Sequence, residues 1–163
     1  SVTGRAVEPE KWHVTILHFG IVEHVFHDLR RVVPALARQR FVEAVSTITK
    51  QLESILPPPT ELTPKHLQNY GVHEGVLALS FDANETTTTA HQASLAALRD
   101  FVMACGVPPR EVDDFLSGSV NFRWALKFEP HLTLFRGVRN WSDSDAILPT
   151  KPIQFESARI HGL

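Results

Sequence analysis

Apolar and polar positions fall into two rhythms along this chain, one near period 2 and one near 3.6, and each predicts its own elements. The run Trp12-His13-Val14-Thr15-Ile16-Leu17-His18-Phe19-Gly20 is β-rich, closes on glycine and predicts a strand. Pro34 predicts a turn or a helix start, because proline is poorly tolerated in a helix interior. From about Leu36 to Leu56 the apolar positions Phe41, Val45, Ile48, Leu52 and Ile55 recur at helical spacing, and Pro57-Pro58-Pro59 ends that helix. Thr60–Glu74 is polar and irregular, with room for one short strand. Val76-Leu77-Ala78-Leu79-Ser80-Phe81 reads as a buried strand. Thr86–Thr89 offers N-caps for a second helix with the stripe Leu95, Leu98, Val102 and Cys105, and Gly106 sits where a helix C-terminus favours glycine. A short helix around Arg110–Leu116 follows Pro108-Pro109. Strands are expected at Val120–Lys127, His131–Phe135 and Ile153–Ile160. This order predicts an α+β fold with its helices segregated to one side of the sheets.

Bulk properties narrow the possibilities without choosing among them. A length of 163 residues suits a single domain able to bury a substantial core. A net charge of -2 excludes a global polycationic surface, so any nucleic-acid contact has to be local, made in a cleft. Cys105 is the only cysteine, which excludes an intrachain disulfide and a multi-cysteine zinc site and suits a reducing compartment. No apolar run approaches the roughly 18–20 residues of a membrane span, and no secretory leader pattern is present. A cytoplasmic protein is expected. Ser1 stands where a methionine would begin a full reading frame, so a processed or trimmed start is expected.

One internal echo carries chemistry. His13-Val14-Thr15-Ile16 and His131-Leu132-Thr133-Leu134 both follow the form His, apolar, Thr, apolar. Two chance occurrences with apolar flanks amount to roughly one in a hundred for a chain of this composition. In a strand, residues i and i+2 share a face, so each motif presents an imidazole beside a hydroxyl while the apolar residue faces the core. Two such strands side by side make a groove with two imidazoles and two hydroxyls. Phosphodiester hydrolysis needs a base to activate water and an acid to protonate the leaving oxygen, and histidine serves in either role near neutral pH. The Thr15 and Thr133 hydroxyls can donate to non-bridging phosphate oxygens. No cofactor or metal is required.

The flanking residues bring a family into view. Val7-Glu8-Pro9-Glu10-Lys11-Trp12-His13-Val14-Thr15-Ile16-Leu17-His18-Phe19-Gly20 resembles the first motif of the 2H phosphoesterase superfamily, and most closely its 2′-5′ RNA ligase or RNA 2′,3′-cyclic phosphodiesterase branch. Phe128-Glu129-Pro130-His131-Leu132-Thr133-Leu134-Phe135-Arg136 resembles the second motif. The resemblance implies a two-lobed, pseudo-twofold α+β fold with antiparallel sheets lining a central cleft and helices outside. It implies RNA termini or small nucleotides with 2′,3′-cyclic phosphates as substrates, or alternatively 2′-5′ oligonucleotides or cyclic dinucleotides. Carried over, His13 and His131 are the acid/base pair, with His131 as base for water and His13 as acid for the 3′ oxygen. Thr15 and Thr133 hold the phosphate, and Arg136 falls at a cationic position. Members of the family carry about thirty residues before the first motif and a strand beyond the equivalent of Ile160. The shorter flanks here are expected to reflect trimming or a compact variant.

The remaining candidates divide between site and scaffold. Trp12 and Phe128 are candidates for stacking a base at the cleft rim, whereas Phe19 and Trp124 are expected in the core. Lys11, Arg123 and Lys127 are either local cleft charge or a solvated face. His18, His24 and His27 fit no standard metal-ligand spacing. His66, His73, His91 and His161 are expected to be solvated or capping residues. Besides the hydrolase, two other classes carry weight: a nucleotide-binding module on the same scaffold, and, less so, a histidine-based metal hydrolase. The expected protein is a monomer that takes an RNA terminus or small nucleotide and no membrane.

Overall fold

A computed structural model describes residues 3–70, 75–139 and 148–160. His73 and His161 lie outside them. The strands are β1 (Thr3–Ala6), β2 (Thr60–Leu62), β3 (Pro64–Tyr70), β4 (Val76–Phe81), β5 (His131–Arg139) and β6 (Ile153–Phe155). The helices are α1 (Val22–Val32), α2 (Arg38–Ser54), α3 (Glu85–Ala104) and α4 (Val112–Gly118), with 3-10 turns at Pro9–Lys11 and Pro109–Glu111. The class is α+β, and every strand pairing is antiparallel. Two compact units divide the chain; among the described residues, one holds the six strands and the other the four α-helices.

The strand unit comprises Ser1–Thr15, Pro59–Asn84 and Glu129–Glu156. Its main sheet runs β1-β5-β4-β3, and β2 pairs with β6 in a separate two-stranded ribbon. Leu62, Leu79, Phe81 and Leu132 form its buried core, with Val14, Leu67, Leu134 and Phe155 packed against them. Leu79 and Leu132 are opposite each other on β4 and β5, so one sheet face is apolar by register. The other face of β5 carries His131 and Thr133.

The helical unit comprises Ile16–Pro58, Glu85–Phe128 and Ser157–Leu163. Phenylalanines dominate its core. The Phe41 ring lies 4.9 Å from Phe26 and 5.9 Å from Phe101, and Phe19 lies 5.1 Å from Phe101. Helix α3 begins at Glu85, so Thr86–Thr89 lie within its first turns and are not its N-cap, but the α2 and α3 expectations hold in their apolar stripes and at the end of α3. There Val107 N–H donates to Val102 O at 3.3 Å and Gly106 N–H to Met103 O at 2.9 Å, a Schellman cap. Gly106 has φ +108, which a side chain would strain.

Four strand expectations are corrected. Residues 60–70, expected to be irregular with one short strand, carry two, β2 and the seven-residue β3. Trp12–Gly20 is not a strand: β1 already occupies the edge of β5 from Phe135 to Arg139, leaving the later segment one bridge, Val14 to Leu132. Beyond Thr15 the chain enters the helical unit, where Phe19 is buried against Phe101 and Phe122. Val120–Lys127 forms turns, because Phe122 and Ala125 bury at a spacing of three while Val120 and Trp124 remain 66% and 63% exposed. Arg123 N–H donates to Ser119 O at 3.0 Å and Ala125 N–H to Phe122 O at 2.7 Å, bonds of helical and not sheet type. Trp124 is therefore a surface residue, with Arg123 over its ring at 5.2 Å. The last strand stops at Phe155 and does not continue to Ile160. Helix α1 was not foreseen, although Val22, Val25, Phe26 and Leu29 have helical spacing; its exposed face carries His24 and His27.

Cys105 is fully buried, and loss of hydration pushes its thiol up from 9.0 to about 11, against a smaller opposing pull from Arg40. The folded state thus holds the neutral thiol, whose stabilising contribution is complete below the unfolded pKa and fades as pH rises from 9.0 toward 11. Native protein at pH 8 is expected to resist a thiol reagent until denaturant is added. Rapid stoichiometric labelling without denaturant would contradict this burial.

Candidate active site

The two His-x-Thr motifs meet through the one bridge that joins Val14 to Leu132 in antiparallel register. In such a pairing, the residue before one partner lies opposite the residue after the other. His13 therefore faces Thr133, and Thr15 faces His131. Val14 and Leu132 both belong to the strand-unit core, so the four polar residues project from the opposite face. Directly opposite Cβ atoms in a sheet are about 4.5–5.5 Å apart, and diagonal neighbours about 7–8 Å. His13 and His131 are the diagonal pair. An antiparallel pair carries a local twofold axis, and two copies of one motif centred on Val14 and Leu132 inherit it.

The rings are also anchored alike. Nδ1 of His13 lies 2.8 Å from Lys11 O, and Nδ1 of His131 lies 2.9 Å from Glu129 O. A carbonyl only accepts, so Nδ1 holds the hydrogen in each ring and Nε2 is the atom free to take or give a proton. The local sequence explains both anchors. The 3-10 turn at Pro9–Lys11 aims Lys11 O back at His13. On the other side, Pro130 begins the β5 approach without needing an N–H, and its carbonyl accepts from Phe81 N–H at 2.9 Å.

Two residues that were not singled out from sequence complete the setting of His131. The Tyr70 ring stacks on it, centroids 4.7 Å apart and planes 26° off parallel. The Tyr70 hydroxyl lies 3.3 Å from Ser80 Oγ, and Ser80 is the register partner of His131 on β4. Tyr70 pairs with Val76, whereas His131 is level with Ser80; between those rows stands Ala78, whose methyl leaves room for the ring. Tyr70 is the only tyrosine in the chain, but it sits in a segment that reads as polar and irregular, and Ser80 reads as part of a buried strand.

Arg136 reaches the histidine face through an irregularity. Ala78 pairs with Thr133 but Leu77 with Phe135, so β5 holds one extra residue. That bulge inverts the alternation and puts Arg136 on the side of His131 and Thr133. Its partner across β1 is Arg5, and both are exposed. Like charges directly opposite each other in a sheet are destabilising. Among the described residues neither arginine has an ion-pair partner.

The other candidates fall as follows. Trp12 is 45% exposed, and its Nε1–H donates to Val7 O at 2.9 Å. Lys11 is tied to Glu8 at 2.6 Å. Phe128 belongs to the helical unit, where its ring lies 4.8 Å from that of His91, nearly parallel. One of its faces is therefore already covered. His91, expected to be a solvated or capping residue, is buried, and its Nε2 donates to Ala125 O at 2.8 Å. His66 remains exposed, bonded to Gln68 at 2.9 Å. His18, His24 and His27 are exposed, and among the described residues no group of three His, Cys, Asp or Glu is placed to hold a metal ion. Among those residues, too, no helix is long and apolar enough to cross a membrane.

Compared with protein-family models, curated proteins and solved structures, the chain matches none, so the reading of this site rests on its own geometry and on the two motifs.

Proposed function

We propose that this protein is a metal-independent phosphodiesterase that hydrolyses 2′,3′-cyclic phosphates on RNA ends or nucleotides, with His13 and His131 as its acid/base pair. The observation that carries the proposal is the Val14–Leu132 bridge, which sets two His-x-Thr motifs in register on one face. In the reaction, Nε2 of His131 takes a proton from water as the water oxygen bonds to phosphorus. The bond from phosphorus to the 3′ oxygen breaks, and Nε2 of His13 protonates that oxygen. The products are a 2′-phosphomonoester and a 3′-hydroxyl. Thr15 and Thr133 donate to the non-bridging oxygens, whose charge is redistributed in the transition state. Trp12 offers a face for a base, and Arg136 with Arg5 offers positive charge to a neighbouring phosphate.

The two-lobed 2H phosphoesterase architecture belongs to the same proposal, supported by the paired motifs and the α+β class. So does a cytoplasmic setting, which suits the single buried Cys105. The protein is proposed to act as a monomer.

A substrate panel tests the activity: 2′,3′-cyclic mononucleotides, an RNA with a 2′,3′-cyclic end, a 2′-5′ oligonucleotide and a cyclic dinucleotide, each with and without excess EDTA. Accumulation of the 2′-phosphomonoester, undiminished by EDTA, is expected. Turnover confined to the 2′-5′ or dinucleotide substrates would move the reading to that class. Activity lost in EDTA and restored by one divalent ion would replace it with a metal hydrolase. Tight nucleotide binding with no turnover on any member would leave a binding module.

A further inference from the structure

The two imidazoles share an anchor, a threonine neighbour and a local twofold, but one feature breaks the symmetry. Among the described residues, His131 has an aromatic ring over one face and His13 has none. We propose that Tyr70 is a positioning residue for His131: its ring fixes the imidazole plane, and its hydroxyl, held on Ser80, fixes the tyrosine in turn. This inference deepens the proposed activity and rests on it for its kinetic consequences.

A single hydrogen bond from Nδ1 to a carbonyl leaves the imidazole free to pivot about that bond. Contact across the ring face removes the pivot. The stack of Tyr70 on His131, at 4.7 Å and 26°, supplies that contact. A side chain can do this only if it is held itself, and Tyr70 is held at its far end by Ser80 Oγ at 3.3 Å. Ser80 is only 5% exposed and is paired with His131 in the sheet, so the phenol is anchored to the strand next to the one it serves. Ala78 is the permissive residue: it lies between the two rows, and a larger side chain on that face would displace the ring. With one face covered by Tyr70, His131 has only its other face and its Nε2 edge left for a substrate. Misplacing a catalytic group by about 1 Å can cost on the order of 100-fold in rate, so the effect belongs in kcat more than in KM.

The test uses Tyr70→Phe, Tyr70→Leu and Ser80→Ala in the full chain, with two readouts. The first needs no substrate: imidazole nitrogen shifts of His131 in the free protein. Wild type is expected to show one neutral tautomer with the proton on Nδ1, and Tyr70→Leu a tautomer average, while His13 is unchanged. Tyr70→Phe keeps the ring and is expected to keep most of the wild-type signature; Ser80→Ala is expected to match it. The second readout is kinetic, on a 2′,3′-cyclic nucleotide. Tyr70→Leu is expected to lower kcat about 10- to 100-fold with KM within about twofold, and Tyr70→Phe and Ser80→Ala to lie between it and wild type. If the His131 nitrogen signature is the same in all three variants, or if Tyr70→Leu raises KM and spares kcat, the positioning role is wrong. Should Tyr70→Leu not fold, a Tyr70→Phe or Ser80→Ala protein with wild-type kcat and wild-type shifts is enough to overturn it. Absence of turnover in the wild type would sink the phosphodiesterase reading alone, since the nitrogen shifts would still decide what Tyr70 does to His131.

Discussion

His13→Ala and His131→Ala are each expected to lower kcat/KM on a 2′,3′-cyclic phosphate by about 10²–10⁴-fold, the usual worth of a positioned acid or base. The fold should survive both changes. His13 is exposed and His131 partly so, and the side chain of each makes one hydrogen bond to a carbonyl two residues away. Removing either ring therefore leaves no buried polar group unpaired, and thermal midpoints should stay close to wild type. Losses should not multiply in the double variant, because base and acid act in one step and removing one already abolishes the concerted route. The same logic gives a bell-shaped dependence of kcat/KM on pH, since one ring must be neutral while the other is protonated. Each single variant should lose one limb of the bell from its residual activity. Variants that turn over cyclic substrates at the wild-type rate would remove the histidines from the chemistry altogether.

Phe41→Ala is expected to cost about 3–5 kcal/mol of stability, the range for emptying a fully buried aromatic site. Phe41 is 0% exposed on α2, and its ring meets Phe26 from α1 and Phe101 from α3. Arg38 covers it at 5.8 Å while bonding to Glu23 at 2.7 Å, a contact that also holds the Glu23 carboxyl below its ordinary pKa. Three helices therefore share one side chain. On the next residue, Val42→Ala should change stability by less than about 0.5 kcal/mol, because Val42 is 53% exposed. Urea unfolding followed by helical circular dichroism measures both. A Phe41→Ala loss below about 1 kcal/mol would mean that the three helices do not converge on this ring.

How much of this was legible beforehand depended on the range of the interaction. Helices α2 and α3 and strand β4 were readable because their signals are local: a period of 3.6, a triple proline, a glycine cap, a continuous apolar run. Helix α1 is equally local in pattern, but its period of 3.6 is short and flanked by a β-rich run before it and Pro34 after it. Strand propensity misled at Trp12–Gly20 and at Val120–Lys127. Whether a β-prone segment becomes a strand depends on a free edge to pair with, and β1 had taken most of that edge.

By itself the sequence determined that this is an α+β chain with two matching His-x-Thr motifs, since residue types and their spacing are carried along the chain. Only the tertiary structure decided that Val14 pairs with Leu132, that a bulge turns Arg136 to the histidine face, and that Tyr70 covers one face of His131. Register, bulges and cross-strand stacking are relations between segments tens of residues apart, set by which edges and cores compete for them, and no local pattern encodes that competition.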